Sequence, residues 1–115
     1  MAPSDLDKFC KSLHGTTTNI KWGNDLCYLI GKKMYCVTGI KGDVTISFKA
    51  TTEEFAELTE RDGILPAPYV AKYHWVMVQN VKSLRPKEWK LYIKKSYDLV
   101  VEKLPKKVRE SLQRG

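Results

Sequence analysis

Between Thr16 and Ala50 the chain consists of short β-branched and aromatic runs, "TNIKW", "DLCYLIG", "MYCVTGI" and "VTISFKA", separated by "GND", "KK" and "KGD". Runs of this length between turn-forming residues read as strands joined by tight hairpins, because a helix would need its apolar residues three and four apart. The segment therefore predicts a four-stranded antiparallel meander. Such a sheet has an apolar face to bury, and the flanking segments must cover it.

The flanks have the period for that cover. "SDLDKFCKSLHG" predicts a first helix with Ser4 as N-cap, Phe9 and Leu13 four apart on one face, and Gly15 as the stop. "TTEEFAELTERDG" predicts a second, with Thr51 and Glu54 at capping-box spacing and Gly63 after it. "ILPAPY" is extended, since Pro66 and Pro68 lack donors and push their predecessors out of helical conformation, and a strand from Tyr73 to Gln79 follows. Pro86 opens a long third helix whose core stripe is Trp89, Ile93, Tyr97, Val100 and Leu104, with Lys87, Lys90 and Lys94 together on one flank. Pro105 ends or kinks it, and "KKVRESLQRG" continues as a short basic helix or a frayed tail.

The element order is α-β-β-β-β-α-β-α. It predicts an α+β fold, one antiparallel sheet with helices on one face. With 115 residues, the chain is expected to form a single domain over 1–115. No apolar run reaches the length of a membrane helix, and "MAPSDLDKFC" has acids where a secretion signal would be apolar, so the expected location is cytoplasmic and no membrane partner is expected.

Cys10, Cys27 and Cys36 have no C-x-x-C spacing, which reads as free buried thiols, with Cys27 and Cys36 on the same side of a hairpin as the alternative. Only His14 and His74 are available to complete a metal site, and neither a metal nor a cofactor is expected. The sequence lacks a nucleophile elbow, a P-loop, a dinucleotide fingerprint and a zinc-protease motif, so no catalytic residue is assigned and the chain is not expected to be an enzyme. Next to Tyr73 and Trp75, His74 reads as a half-buried histidine with one satisfied nitrogen. Trp75 and Met77 read as packing under a helix. Tyr69 and Lys72 occupy a rigid extended segment, suited to contacting a phosphate; alternatively Tyr69 caps the core and Lys72 pairs with Glu57.

The formal charge is +7, all of it in residues 82–115, while residues 1–81 are neutral overall. A positive half attracts polyanions, nucleic acid first among them; the alternative is a solvated helix surface.

"GKKMYCVTG", "FKATTEEFAEL", "GILPAPYVAKYHWVMV" and "SYDLVVEKLPKKVR", in that order and spacing, resemble the MmcQ/YjbR family. The resemblance runs from about Lys21 to Arg109 and implies a CyaY-like fold with a "double wing" arrangement and a DNA-binding role. Its signature positions here are Lys33, Met34, Pro66, Ala67, Tyr69, Lys72, Trp75, Ser96, Tyr97, Leu104, Pro105 and Lys106. Ala71 stands where members often have Asn. The fold likeness extends to frataxin, whose iron handling uses an acidic ridge; here Asp5 and Asp7 are offset by Lys8 and Lys11.

The expectation is therefore a small domain that binds nucleic acid, DNA first, weakly and largely without sequence preference. Its footprint is Lys87, Lys90, Lys94, Lys103, Lys106, Lys107 and Arg109. The alternative is a protein-interaction or small-ligand module using a motif pocket of Lys33, Tyr69, Lys72, His74, Trp75, Ser96 and Tyr97.

Overall fold

A computed structural model of the chain describes residues 3–39, 44–68 and 70–114. In order these form α1 (Pro3–Ser12), β1 (Thr17–Lys21), β2 (Asp25–Ile30), β3 (Lys33–Gly39), β4 (Ile46–Lys49), α2 (Thr52–Leu58), β5 (Ile64–Pro66), β6 (Trp75–Val78), α3 (Pro86–Glu102) and α4 (Lys106–Arg114). Single 3₁₀ turns cover Ala71–Tyr73 and Val81–Ser83. The six strands make one antiparallel sheet in the order β1-β2-β3-β4-β6-β5, so the fold is α+β with the helices packed against the sheet. The "KGD" turn, with Gly42, and Tyr69 lie outside the described residues.

Several boundaries differ from the sequence expectation. α1 begins at Pro3, so Ser4 lies inside the first turn and is not its cap. β5 is a sixth strand within the stretch read only as extended; it pairs with β6 at the sheet's edge, where a proline's missing donor is tolerated. β6 starts at Trp75, because the 3₁₀ turn runs to Tyr73 and His74 then turns the chain with φ 65°. The expected capping box of α2 is present: the Thr51 hydroxyl accepts from the Glu54 N–H, and the Glu54 carboxylate accepts from the Thr51 N–H, both at 3.1 Å.

One irregularity decides which side chain faces where. Tyr28 pairs with Cys36 but Leu29 pairs with Met34, which leaves Tyr35 as an extra residue in β3. A bulge of this kind shifts the alternation by one. Tyr35 and Cys36 consequently both enter the core beneath the helices, while Met34 and Val37 both face the other side. The main core lies on the helix side, with Phe48 against the rings of Trp89 and Tyr92 and the Trp89 indole donating to the Val81 carbonyl at 2.9 Å.

Pairing of β3 with β4 stops at Cys36 and Phe48, just before the bulge. There the buried Ser96 hydroxyl of α3 donates to the Tyr35 carbonyl at 2.6 Å and accepts from the Lys49 N–H at 2.9 Å. One side chain thus joins two strands whose own ladder has ended and satisfies a backbone group on each. Tyr97 supports the same corner, edge-on to the Tyr35 ring and donating its phenol to the His14 carbonyl at 2.6 Å.

Candidate functional site

The helices leave the second face of the sheet uncovered, and a groove of about 510 Å³ crosses it. Met34, Val37, Ser47 and Trp75 form its floor; Trp22 and Asp25 stand at one end, and the segment Ala67, Pro68 and Val70 walls the other. Strand parity explains the floor: Val37 pairs with Ser47, Ser47 with Met77, and Lys49 with Trp75, so these residues share a face. Trp75 and Met77 therefore lie on the side opposite the helices, not under one. Trp75 is nonetheless 8% exposed, because Ala67, Pro68 and Val70 lie against it.

Trp22 was not singled out from sequence. It follows β1 at the start of a turn with φ 53°, and Gly23 after it has φ 74°. Consecutive left-handed residues favour Asn, Asp or Gly, and a bulky residue there costs roughly 1–3 kcal/mol. The indole is 70% exposed, so packing does not repay that cost. The visible signal was a tryptophan before "GN" in a hairpin turn.

Among the described residues, the sequence-predicted motif positions do not come together in one pocket. Ser96 and Tyr97 are on the helix side, occupied with Tyr35, Lys49 and His14. His74 packs edge-on against Phe55 of α2. Lys72 lies over the Tyr73 ring at 5.2 Å and makes no ion pair with Glu57. Lys33 is exposed at the head of β3, and of the described residues of this set only Trp75 lines the groove. Cys27 and Cys36 face opposite sides, since Cys27 pairs with Val37 and sits one register position from Cys36's partner. All three cysteines are free and buried, and the Cys36 thiol is pushed well up by its hydrogen bond with Cys10 and by burial. Among the described residues no three His, Cys, Asp or Glu side chains converge.

The basic residues separate into two groups. Lys87, Lys90 and Lys94 are exposed together on the outer side of α3, but the Lys94 ammonium is taken by Asp98 at 2.6 Å. Lys95 is likewise taken by Glu54 at 2.7 Å. A second group lies at the C-terminal end of α3, about 14 Å along the axis beyond Lys94. The β2–β3 turn carries Lys32 and Lys33 and packs there, as a Cβ on Gly31 would lie 2.7 Å from the Leu104 side chain and 3.2 Å from Val108. Lys49 leaves β4 at this same end of the sheet, because β3 and β4 are antiparallel. Burial lowers the pKa of Lys49, and the nearby Lys103 ammonium lowers it further. Lys106 and Lys107 open α4 just beyond, with Lys106 4.0 Å from Glu110. Among the described residues Lys32, Lys33, Lys49 and Lys103 have no carboxylate partner. Arg109 stands apart from them, beside His14, Tyr97 and Leu112.

Among the described residues no helix is long and apolar enough to cross a membrane. A family model described as YjbR matches residues 11–99. The crystal structure of a Deinococcus radiodurans protein with the domain DUF419 resembles this one with TM-score 0.86 at 26% identity, over 96% of this chain and 86% of that one. A Pseudomonas syringae protein shares the fold with TM-score 0.71 at 22% identity, over 86% of this chain and 98% of that one. No curated protein matches the chain.

Proposed function

The chain belongs to the YjbR family, and we propose that it binds nucleic acid, DNA first, through the lysine corner where the β2–β3 turn, the end of β4 and the α3–α4 junction meet. The observation that carries this reading is the gathering of Lys32, Lys33, Lys49 and Lys103 from three separate elements, none of them in an ion pair among the described residues. Like charges held together raise the free energy of the unbound protein, and a phosphate backbone relieves that repulsion while releasing its own counterions. Lys106 and Lys107 extend the corner. Lys87 and Lys90 form an outlying pair on α3, and Lys94 contributes less because Asp98 already holds it. Contacts of this kind position a backbone but do not read bases, so binding is largely sequence-independent.

Titration of short duplexes at two salt concentrations tests the reading. Each phosphate neutralised on duplex DNA contributes about −0.9 to the slope of log K against log salt. Reversing Lys32, Lys103 and Lys107 to Glu, all exposed, is expected to reduce the slope by up to about 3, and by more than reversing Lys87, Lys90 and Lys94. Absence of binding at low salt, or an unchanged slope in the corner variant, refutes it.

A further inference from the structure

We infer that the groove on the uncovered sheet face receives an unpaired base, so that the protein engages a single strand of nucleic acid more tightly than a duplex. This deepens the preceding proposal and rests on it. The groove's volume, about 510 Å³, is that of a site for one flat ring system and its sugar. Its walls are suited to stacking: the exposed Trp22 indole at one end, Pro68 and Val70 at the other, and Trp75 and Met34 beneath. Every base has an apolar face, so an aromatic platform of this kind accepts a strand without reading its sequence.

Charge distinguishes a nucleotide from an apolar peptide as the occupant. Lys21 precedes Trp22 and pairs across the strand with Asp25. At the other end Lys49 pairs in register with Trp75, and Lys72 follows Val70 by two residues. Lys49 shares the groove's face by its pairing with Trp75 and also lies near Lys103 of the lysine corner, so one strand can lie with a base in the groove and its phosphates on the corner. Among the described residues Asp25 is the one carboxylate of the lining. A carboxylate there can accept from an exocyclic amino group, which cytosine, adenine and guanine all carry, so it adds a contact without selecting one base. Trp22 is itself informative, for its backbone conformation favours Asn or Gly, yet the chain presents the largest aromatic there, 70% exposed.

The test compares a short oligo(dC) strand with a duplex of equal length at low salt, by anisotropy, with the native chain and with Trp22→Asn. Asparagine suits the left-handed turn, so the variant keeps the fold, as a denaturant melt verifies. The expected result is tighter binding of the strand by the native chain, tryptophan quenching on binding, and a roughly 5- to 100-fold loss for the strand in Trp22→Asn with duplex affinity unchanged. If the duplex binds with a steep salt dependence but Trp22→Asn holds the strand as tightly as the native chain, the groove inference is overturned and the lysine corner stands. Equal losses for strand and duplex also overturn it. If neither polymer binds the native chain, both readings are overturned.

Discussion

Replacing Ser96 by alanine tests the junction that holds the sheet to α3. The hydroxyl is 0% exposed and serves two backbone groups, the Tyr35 carbonyl at 2.6 Å and the Lys49 N–H at 2.9 Å. Alanine retains the methylene, so the lost volume is small and the cost is almost wholly that of two orphaned polar groups. Each costs about 1–3 kcal/mol when water cannot replace the partner. Tyr35 is fully buried and its carbonyl counts in full, whereas Lys49 is only half-buried, so its N–H counts near the low end. The expected loss is about 2–4 kcal/mol, a large share of the stability of a small domain. In urea, with a slope of roughly 1.5 kcal/mol/M, the midpoint falls by about 1.3–2.7 M and the slope is unchanged. Hydrogen exchange at the Lys49 amide accelerates more than the global loss requires, because that amide loses its own acceptor. Tyr97→Phe is the comparison: it removes one bond, to the His14 carbonyl, at the edge of the same corner, and costs about 1 kcal/mol. A loss below about 0.5 kcal/mol for Ser96→Ala would show that the bulged strands close without the hydroxyl.

Trp75→Ala is expected to lose roughly 3–5 kcal/mol, since the indole is 8% exposed, whereas Lys72→Ala, without an ion pair, changes stability by less than about 1 kcal/mol; denaturant melts giving equal losses would make Lys72 structural. Glu54→Gln keeps the capping box but removes the charge facing Lys95. Burial opposes the Glu54 charge, but the Lys95 ammonium and the Thr51 N–H outweigh it and hold the carboxyl below its ordinary value of 4.5. The unfolded chain therefore takes up the proton first as pH falls, so the stabilisation is present at neutral pH and disappears as pH drops through the folded-state value. Because Lys95 is half exposed, the native chain should exceed Glu54→Gln by only about 0.5–1 kcal/mol at neutral pH, fading at the acid end of paired melts. A difference that persists undiminished in acid contradicts the assignment.

What was legible in the sequence was local. The change of period at Thr16, the Thr51–Glu54 capping box and the α3 stripe each depend on residues within a few positions of one another, and each is present. The Tyr35 bulge is not local: nothing in "KMYCVTG" shows that β2 will skip a partner there, and a single skipped residue reverses the faces of the residues on either side. The motif residues could be found in the sequence but not grouped for a separate reason: only the pairing of Lys49 with Trp75 shows that Trp75 turns away from the helices, which leaves it on one face of the sheet with Ser96 and Tyr97 behind the other. The lysine corner was hidden for a related reason. Sequence density drew the eye to residues 82–115, whereas Lys32, Lys33 and Lys49 come from the neutral part of the chain and meet Lys103 only because antiparallel pairing returns them to one end of the sheet.

Backbone strain separates residues retained for folding from those that folding does not explain. Three non-glycine residues have positive φ among the described residues: Trp22, Lys32 and His74. At each, Asn or Gly would adopt the same turn with less strain. For His74 the fold supplies a reason, since its ring packs against Phe55 and anchors the entry to β6 beneath α2. Trp22 and Lys32 have no such compensation, because both side chains are exposed and neither makes an ion pair or a ring contact among the described residues. They also occupy the two places at issue, Trp22 at the mouth of the groove and Lys32 on the lysine corner. If the proposed ligand roles hold, substitutions there that suit the turn are expected to remove strain from the free protein and a stacking surface or a cation from the bound one, so that stability rises while binding falls. A residue held by packing would instead lose stability, and paired melts and binding titrations of Trp22→Asn and Lys32→Asn distinguish the two.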